Sequence, residues 1–432
     1  MAGGSMVALL LVLFFALLLL GVPIIYTLMG SAMVVYIVYM PKIFIALYQN
    51  MYAAGESFSL LAIPLFILSG MLMSGGGISK RLIDFFEKLM GFMSGGLAIV
   101  AIVACVFFGA LSGSAPATVA AIGAIMIPTM VEKGYNKAWT ADLLASTGTL
   151  GVIIPPSIPM VLFGVLSNTS VTGLFTAGII PGVFIALCYC VYAYFHCKKR
   201  GIGLAKKYSG KEIWRSFLDA IWALIMPIII LGGIYSGLFT PTEAATVSVV
   251  YALIIGLFVY KELKIKTIGK LFLRAAKSTA AIVMIITTAS AFASVLTRNN
   301  IPTIVANWIT GFAKTPAVFW LAFSVFMLIL GMFMSVSPAL VILTPILTPA
   351  VEALGINKIH FGLIFVAWMC IGTITPPFGS SLFITCGITG ITTAESFKKV
   401  WPFVAIFVAA VIVLMAFPEI TLLLPRLAGV IK

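Results

Sequence analysis

The sequence predicts an all-α polytopic membrane protein built as an inverted repeat, each half holding one re-entrant helical hairpin and one interrupted transmembrane helix. Three observations predict it. The 432 residues are 62% hydrophobic and only 9% charged, which places most side chains in lipid rather than around a soluble core. The apolar runs are about twenty residues long, the length of a spanning helix and twice that of a barrel strand. Residues 114–181 also recur without a gap at 335–402, each position matching the one 221 further on.

The repeated positions are mostly helix-interrupting residues. Ser114 matches Ser335, Pro128 matches Pro349, Gly134 and Asn136 match Gly355 and Asn357, and Gly151 matches Gly372. The pair Pro155-Pro156 matches Pro376-Pro377, and Thr172 and Pro181 match Thr393 and Pro402. Paired interruptions in the two halves of a membrane protein point to a transporter's binding site.

Spans are predicted at 7–21, 22–40, 57–74, 138–166 and 175–196 in the first half. The second half supplies 217–238, 242–260, 278–296, 360–387 and 401–424. The first run lacks a basic leader region and reads as an uncleaved span. Segments 95–131 and 317–351 enter and leave on one side as hairpins. Between scaffold and hairpin, 78–93 and 299–314 carry apolar residues at helical period with polar residues between, the pattern of helices lying in the interface. This arrangement puts 20 of the 26 Lys and Arg residues on one side, which is therefore cytoplasmic. The net charge of +14 is thus a topology signal, with contact to anionic lipid secondary and no nucleic-acid partner implied. Five spans per half is an odd number, so the halves are inverted, and inversion supplies two related conformations open to opposite sides.

The hairpin tips read Gly109-Ala-Leu-Ser112-Gly113-Ser114-Ala-Pro116 and Gly331-Met-Phe-Met-Ser335-Val-Ser337-Pro338. The interrupted spans read Thr147-Gly148-Thr149-Leu-Gly151 before Pro155-Pro156-Ser157, and Gly372-Thr373-Ile-Thr375 before Pro376-Pro377. Proline lacks an amide hydrogen and disfavours helix in the residue before it, so the helices must unwind there. Backbone groups freed at membrane depth need ions, ligand or protein as partners. Carbonyls and hydroxyls suit a small cation, while half-helix N-termini suit an anion. No tip or break contains a titratable side chain, which favours sodium over protons as the coupling ion. Candidate substrate contacts are Ser112, Ser114, Pro155, Pro156, Ser157, Ser335, Ser337, Pro376 and Pro377. Arg298, the one cation near the outer mouth, joins them, with a solvated loop charge as its competing reading.

The other polar residues read as structural. Glu243 follows Thr240-Pro241 as the third residue of a capping box. Asp142, at the cytoplasmic start of its span, reads as a loop-end carboxylate in preference to a proton relay, and His360, which matches Trp139, as a membrane-interface residue in preference to a relay. Six cysteines sit in or at the ends of apolar spans without zinc spacing. No phosphate loop or nucleophile elbow appears, so the chain is expected not to be an enzyme and to need no organic cofactor.

Across nearly the whole chain, the motifs AIPLFILSGMLMSGGGISKRLIDF (62–85), FGALSGSAPATVAAIG (108–123), LGVIIPPSIPM (150–160), GGIYSGLFTPTEAA (232–245) and HFGLIFVAWMCIGTITPPFG (360–379) resemble one family. It is the large membrane subunit of tripartite ATP-independent periplasmic (TRAP) transporters. The resemblance implies sodium-driven uptake of a small organic acid across the bacterial inner membrane, delivered by a periplasmic binding protein. It also implies a separate four-helix membrane subunit, since none is fused ahead of the first span. The implied fold is elevator-type. Residues 1–77 and 201–298 form the scaffold and basic linker, 78–93 and 299–314 the arms, and 94–200 and 315–432 the transport unit. Carried over by position, one sodium site takes Ser112, Gly113, Ser114, Gly148, Thr149 and Gly151, and the other Gly331, Ser335, Ser337, Gly372, Thr373 and Thr375. The chain departs from the family pattern at Ser335-Val336, Trp368 and Ser380-Ser381. Sialic acid and a C4-dicarboxylate are the two expected cargoes, sialic acid preferred. A carboxylate transporter needing no binding protein, and a channel or passive scaffold, are the alternatives.

Overall fold

The structure is a computed structural model that describes residues 2–202, 207–376 and 379–431. The first half runs through α1 (Ala2–Leu19), α2 (Ile24–Tyr39), α3 (Ile45–Gly55) and α4 (Ala62–Gly75) to the arm α5 (Ile78–Met90). The hairpin α6 (Gly96–Ser112) and α7 (Ala115–Glu132) follows. Then come α8 (Lys137–Gly148), a tight turn over Thr149–Val152, α9 (Ile158–Ser167) and the long α10 (Val171–Arg200). The second half repeats this as α11 (Gly210–Tyr235), α12 (Pro241–Ile254), α13 (Ile265–Arg298) and the arm α14 (Ile301–Phe312). It continues with α15 (Pro316–Gly331), α16 (Val336–Ala353), α17 (Lys358–Ile374), α18 (Ser380–Thr389), α19 (Thr393–Ala416) and α20 (Glu419–Leu427).

The sequence spacing reappears in the helix ends. Both bounds of α7 and α16 are repeat mates, as are the starts of α8 and α17. Each of those starts is capped by a matching asparagine, whose side-chain oxygen occupies otherwise unpaired amides of the first turn. Asn136 Oδ1 accepts the Trp139 amide at 3.1 Å, and Asn357 Oδ1 accepts the Ile359 amide at 2.9 Å. Thr240 and Glu243 close the capping box reciprocally, the Thr240 amide reaching Glu243 Oε2 at 2.7 Å.

Packing follows the same pseudo-twofold. Helix α4 lies on α12, and their mates, the second part of α13 and α2, lie on each other. Around the hairpins and interrupted spans the mates cross over: α9 packs on α16 and α17, and α18 packs on α7 and α8. Near the axis Cys370 meets its own repeat mate, its Sγ donating to the Thr149 carbonyl at 3.8 Å. Arm α14 turns 115° from α15, so the two cannot form one straight span.

Several expectations change. Helix α3 occupies a stretch left between two spans, and α13 begins at Ile265 rather than 278. The span expected at 401–424 ends at Ala416, with α20 separate after Phe417-Pro418, because proline cannot continue the helical hydrogen bonding. Asp142 is not a loop-end carboxylate: it is fully buried and bonded by the Ser396 hydroxyl of α19. His360 is buried too, with Nδ1 2.7 Å from the Thr421 hydroxyl of α20.

Candidate functional site

Each hairpin tip meets the break in its own half through backbone. A Cβ placed on Gly109 would stand 2.5 Å from the Gly151 Cα, and one on Gly331 would stand 3.0 Å from the Gly372 Cα. Only glycine allows α6 and α15 to come so close to the interrupted spans. Gly113 holds a left-handed φ of +62° at the first tip, and its carbonyl accepts the Ile158 amide at 3.2 Å. That bond ties the tip to the start of α9, beyond the break.

Of the first expected ion set, Ser112, Gly113, Ser114 and Gly151 come together. The Ser112 and Thr118 hydroxyls pair at 2.9 Å, and Thr118 Oγ1 donates to the Ser114 carbonyl at 2.9 Å. Thr118 also lies beside Gly151, where a Cβ would approach its Oγ1 to 2.6 Å. It is a site residue absent from the expected set. Gly148 packs against Val119, one residue further along α7. Thr149 turns its hydroxyl back to the Ser146 carbonyl at 2.6 Å, away from the tip.

In the second set Gly331 and Gly372 touch, and Thr373 and Thr375 donate to Cys370 and Ile371 carbonyls at 2.8 and 2.6 Å. Helix α17 continues through Thr373 to Ile374, so this break opens later than its mate, whose helix stops at Gly148. Ser381 of α18 donates to Thr373 Oγ1 at 3.4 Å.

A cavity of about 210 Å³ joins the two tips. Gly113 and Ser114 line it from one hairpin, Ser335 and Ser337 from the other, with Thr373 and Ser380 from the second interrupted span. Ile282 of α13 contributes one wall. First-turn residues of four helices face it: Ala115 and Pro116 of α7, Ile158 and Pro159 of α9, Val336 and Ser337 of α16, and Ser380 of α18. No lining residue is charged. Ser114 and Ser335, repeat mates at the N-caps of α7 and α16, make no side-chain cap bond, which leaves both hydroxyls to the cavity.

The remaining expected substrate contacts lie elsewhere. Pro155, Pro156 and Ser157 are buried outside the lining, and Ser157 donates to the Val152 carbonyl at 2.6 Å while capping α9. Ser112 sits behind the tip, where a Cβ on Gly70 of α4 would come within 3.0 Å of its Cα. Pro376 borders a separate cavity with Thr393 and Lys398, and Pro377 lies outside the described residues. Arg298 is exposed at the end of α13, about 24 Å of helical rise beyond Ile282. It belongs to no part of this cavity. A larger cavity of about 780 Å³ lies toward the side with few basic residues, between Ser57–Ser59, Thr240–Thr242, the α9–α10 loop and Ser290 of α13. The two cavities share no lining residue.

Inverted halves, broken helices and a cavity walled by helix starts define a multi-pass transporter permease. Solved transporters share the fold. YdaH of Alcanivorax borkumensis superposes with a TM-score of 0.64 over 88% of each chain at 12% identity. MtrF of Neisseria gonorrhoeae gives 0.61 over 88% of this chain and 84% of its own at 14% identity. Residues 11–420 match the family model of the tripartite ATP-independent periplasmic transporter, DctM component, and the chain belongs to that family. It is a multi-pass protein of the inner membrane and not an enzyme. The C4-dicarboxylate TRAP transporter large permease protein DctM of Pseudomonas aeruginosa is 42% identical over 380 residues, 88% of this chain and 89% of that one. The 2,3-diketo-L-gulonate permease protein YiaN of Escherichia coli is 37% identical over 375 residues, 87% and 88% of the two chains. The sialic acid permease protein SiaM of Vibrio cholerae is 35% identical over 379 residues, 88% and 89% of the two chains.

Proposed function

We propose that this chain is the membrane-spanning engine of a sodium-coupled secondary transporter that takes up a small organic acid, with cargo held in the cavity between the hairpin tips. The observation that carries this is the convergence of four helix starts on one uncharged cavity. Each start presents about half a positive charge and unpaired amides, so a carboxylate is bound there without an arginine. The free Ser114 and Ser335 hydroxyls add donors from the two halves. Sodium sits behind each tip among carbonyls and hydroxyls: Ser112, Ser114, Thr118 and Gly151 in one half, Gly331, Gly372, Thr373 and Ser381 in the other. Each ion then fixes the tip that cargo touches, and this is the coupling.

The unit formed by 94–200 and 315–432 slides as an elevator against the scaffold of 1–77 and 201–298, with arms 78–93 and 299–314 as its hinges. The larger cavity is the approach from the periplasmic side. A periplasmic binding protein delivers cargo, and a small membrane subunit packs on the scaffold.

Among cargoes, the cavity volume of about 210 Å³ lies below the roughly 300–1,000 Å³ of sites for drug-sized ligands. A four-carbon dicarboxylate therefore takes precedence over the bulkier sialic acid. The relatives carry both names, the dicarboxylate permease at 42% identity and the sialic acid permease at 35%. Uptake of labelled succinate and sialic acid into proteoliposomes, with both partner proteins and an imposed sodium gradient, tests the proposal. Succinate uptake that collapses without sodium or without the binding protein is expected. Uptake indifferent to sodium removes the coupling, and equal uptake without the binding protein moves the chain to the partner-free alternative.

A further inference from the structure

The two hairpins are repeat mates, yet they close differently. In the first half α6 and α7 pack along their length, and arm α5 seals them. There Phe86 meets Phe107 at 5.0 Å between ring centroids, and Phe85 meets Phe217 of α11 at 5.7 Å. In the second half α15 and α16 scarcely touch, and arm α14 lies on α16 instead. This leaves a groove of about 320 Å³ between arm and both hairpin legs. All its lining side chains are apolar, among them Trp308, Phe312, Phe319, Phe323, Leu343 and Leu347. Trp308 is 70% exposed. Two residues past Phe312, Lys314 is exposed and joins no ion pair among the described residues.

Water does not fill such a space, because cavities lined only by hydrocarbon stay dry. A helix does not fit, since one turn about 10 Å across and 5.4 Å tall displaces more than about 400 Å³. A single hydrocarbon chain does. We propose that this groove binds one acyl chain of a phospholipid from the periplasmic leaflet, with its phosphate beside Lys314 and Trp308 at the headgroup boundary. Tryptophan favours that boundary, its ring apolar and its N–H wet. The lipid supplies packing between arm and first hairpin leg that α5 and α6 give each other directly in the first half, and it wedges the hairpin carrying Ser335 and Ser337. The second hairpin thus borrows part of its packing from the bilayer.

The test uses the full chain in liposomes containing phosphatidylglycerol with a diazirine midway along one acyl chain. After irradiation, labelled residues are mapped, with the outer face of α10 (Val183, Leu187, Val191, Phe195), exposed and apolar, as the bulk-lipid control. Labelling should concentrate on α14 and α16 and exceed the α10 face about fivefold. Leu343→Trp should remove that excess and leave α10 labelling unchanged, with Ile346→Phe as the milder filling variant if the first does not fold. Lys314→Glu should weaken it about threefold. Labelling no denser than on α10, or unaffected by groove filling in a monodisperse protein, overturns the proposal. So does protection of the groove by the small subunit or a second copy at constant lipid content.

Discussion

Thr118 joins three parts of one site. Its hydroxyl pairs with Ser112, donates to the Ser114 carbonyl and borders Gly151. Thr118→Val keeps the shape and removes that oxygen. A hydroxyl ligand contributes about 1–1.5 kcal/mol, so the sodium concentration for half-maximal uptake should rise about tenfold. Ser114→Ala and Thr373→Ala should likewise weaken sodium activation before thermal stability falls, and unchanged activation curves in both would remove the ion assignment. The glycine contacts give a graded prediction. Gly109→Ala forces a methyl to 2.5 Å of the Gly151 Cα, whereas the same change at Gly331 meets Gly372 at 3.0 Å. Overpacking typically costs about 1–3 kcal/mol, and the Gly109 variant should lose more melting temperature than the Gly331 variant. Ser114, Ser335 and the close-packed glycines were legible in the sequence because polar and helix-breaking residues inside apolar runs need a reason. Thr118 was not: a threonine four residues into an apolar helix looks like any buried hydroxyl bonded to its own backbone. Thr149 misled for a complementary reason, since spacing does not reveal which face a tight turn presents.

Among the polar links between the two halves is one whose carboxylate sequence reading placed at a loop end. Asp142 of α8 accepts the Ser396 hydroxyl of α19, and its second oxygen, Oδ2, has no protein partner among the described residues. Ser396→Ala would leave a buried carboxyl with neither oxygen bonded, at a cost of about 1–3 kcal/mol or more. The melting temperature should fall clearly. The double change Asp142→Leu with Ser396→Ala should recover most of it, because leucine is what the repeat carries at the mate, Leu363. A double variant less stable than Ser396→Ala would show the carboxyl to be required for itself. The partners are 254 residues apart, which is why hydropathy alone assigned Asp142 to a span end. Element bounds divide the same way. Asn136 and Asn357 announce α8 and α17 with capping chemistry visible in sequence. Helix α3, with Gln49 and Asn50 within it, has no such apolar run, and packing on α13 decides its place.

For the molecule entire, inverted duplication dictates most of the architecture. Helix mates exchange partners across the pseudo-twofold, both tips reach one cavity, and α13 touches that cavity through Ile282. The sequence spacing foretold the mates and the inversion. It carried nothing about the unequal closure of the two hairpins, which depends on how α14 and α15 pack rather than on which residues they share. The scaffold contact offers the most direct test. With Cys188 and Cys190 replaced, Ile282→Cys and Val336→Cys place one thiol on the proposed fixed part and one on the proposed moving part, both lining the same cavity. Bridging them with mercuric ion in proteoliposomes should abolish sodium-driven uptake, and excess thiol should restore it. Undiminished uptake by fully bridged protein would contradict a moving unit that carries its cargo past a stationary scaffold.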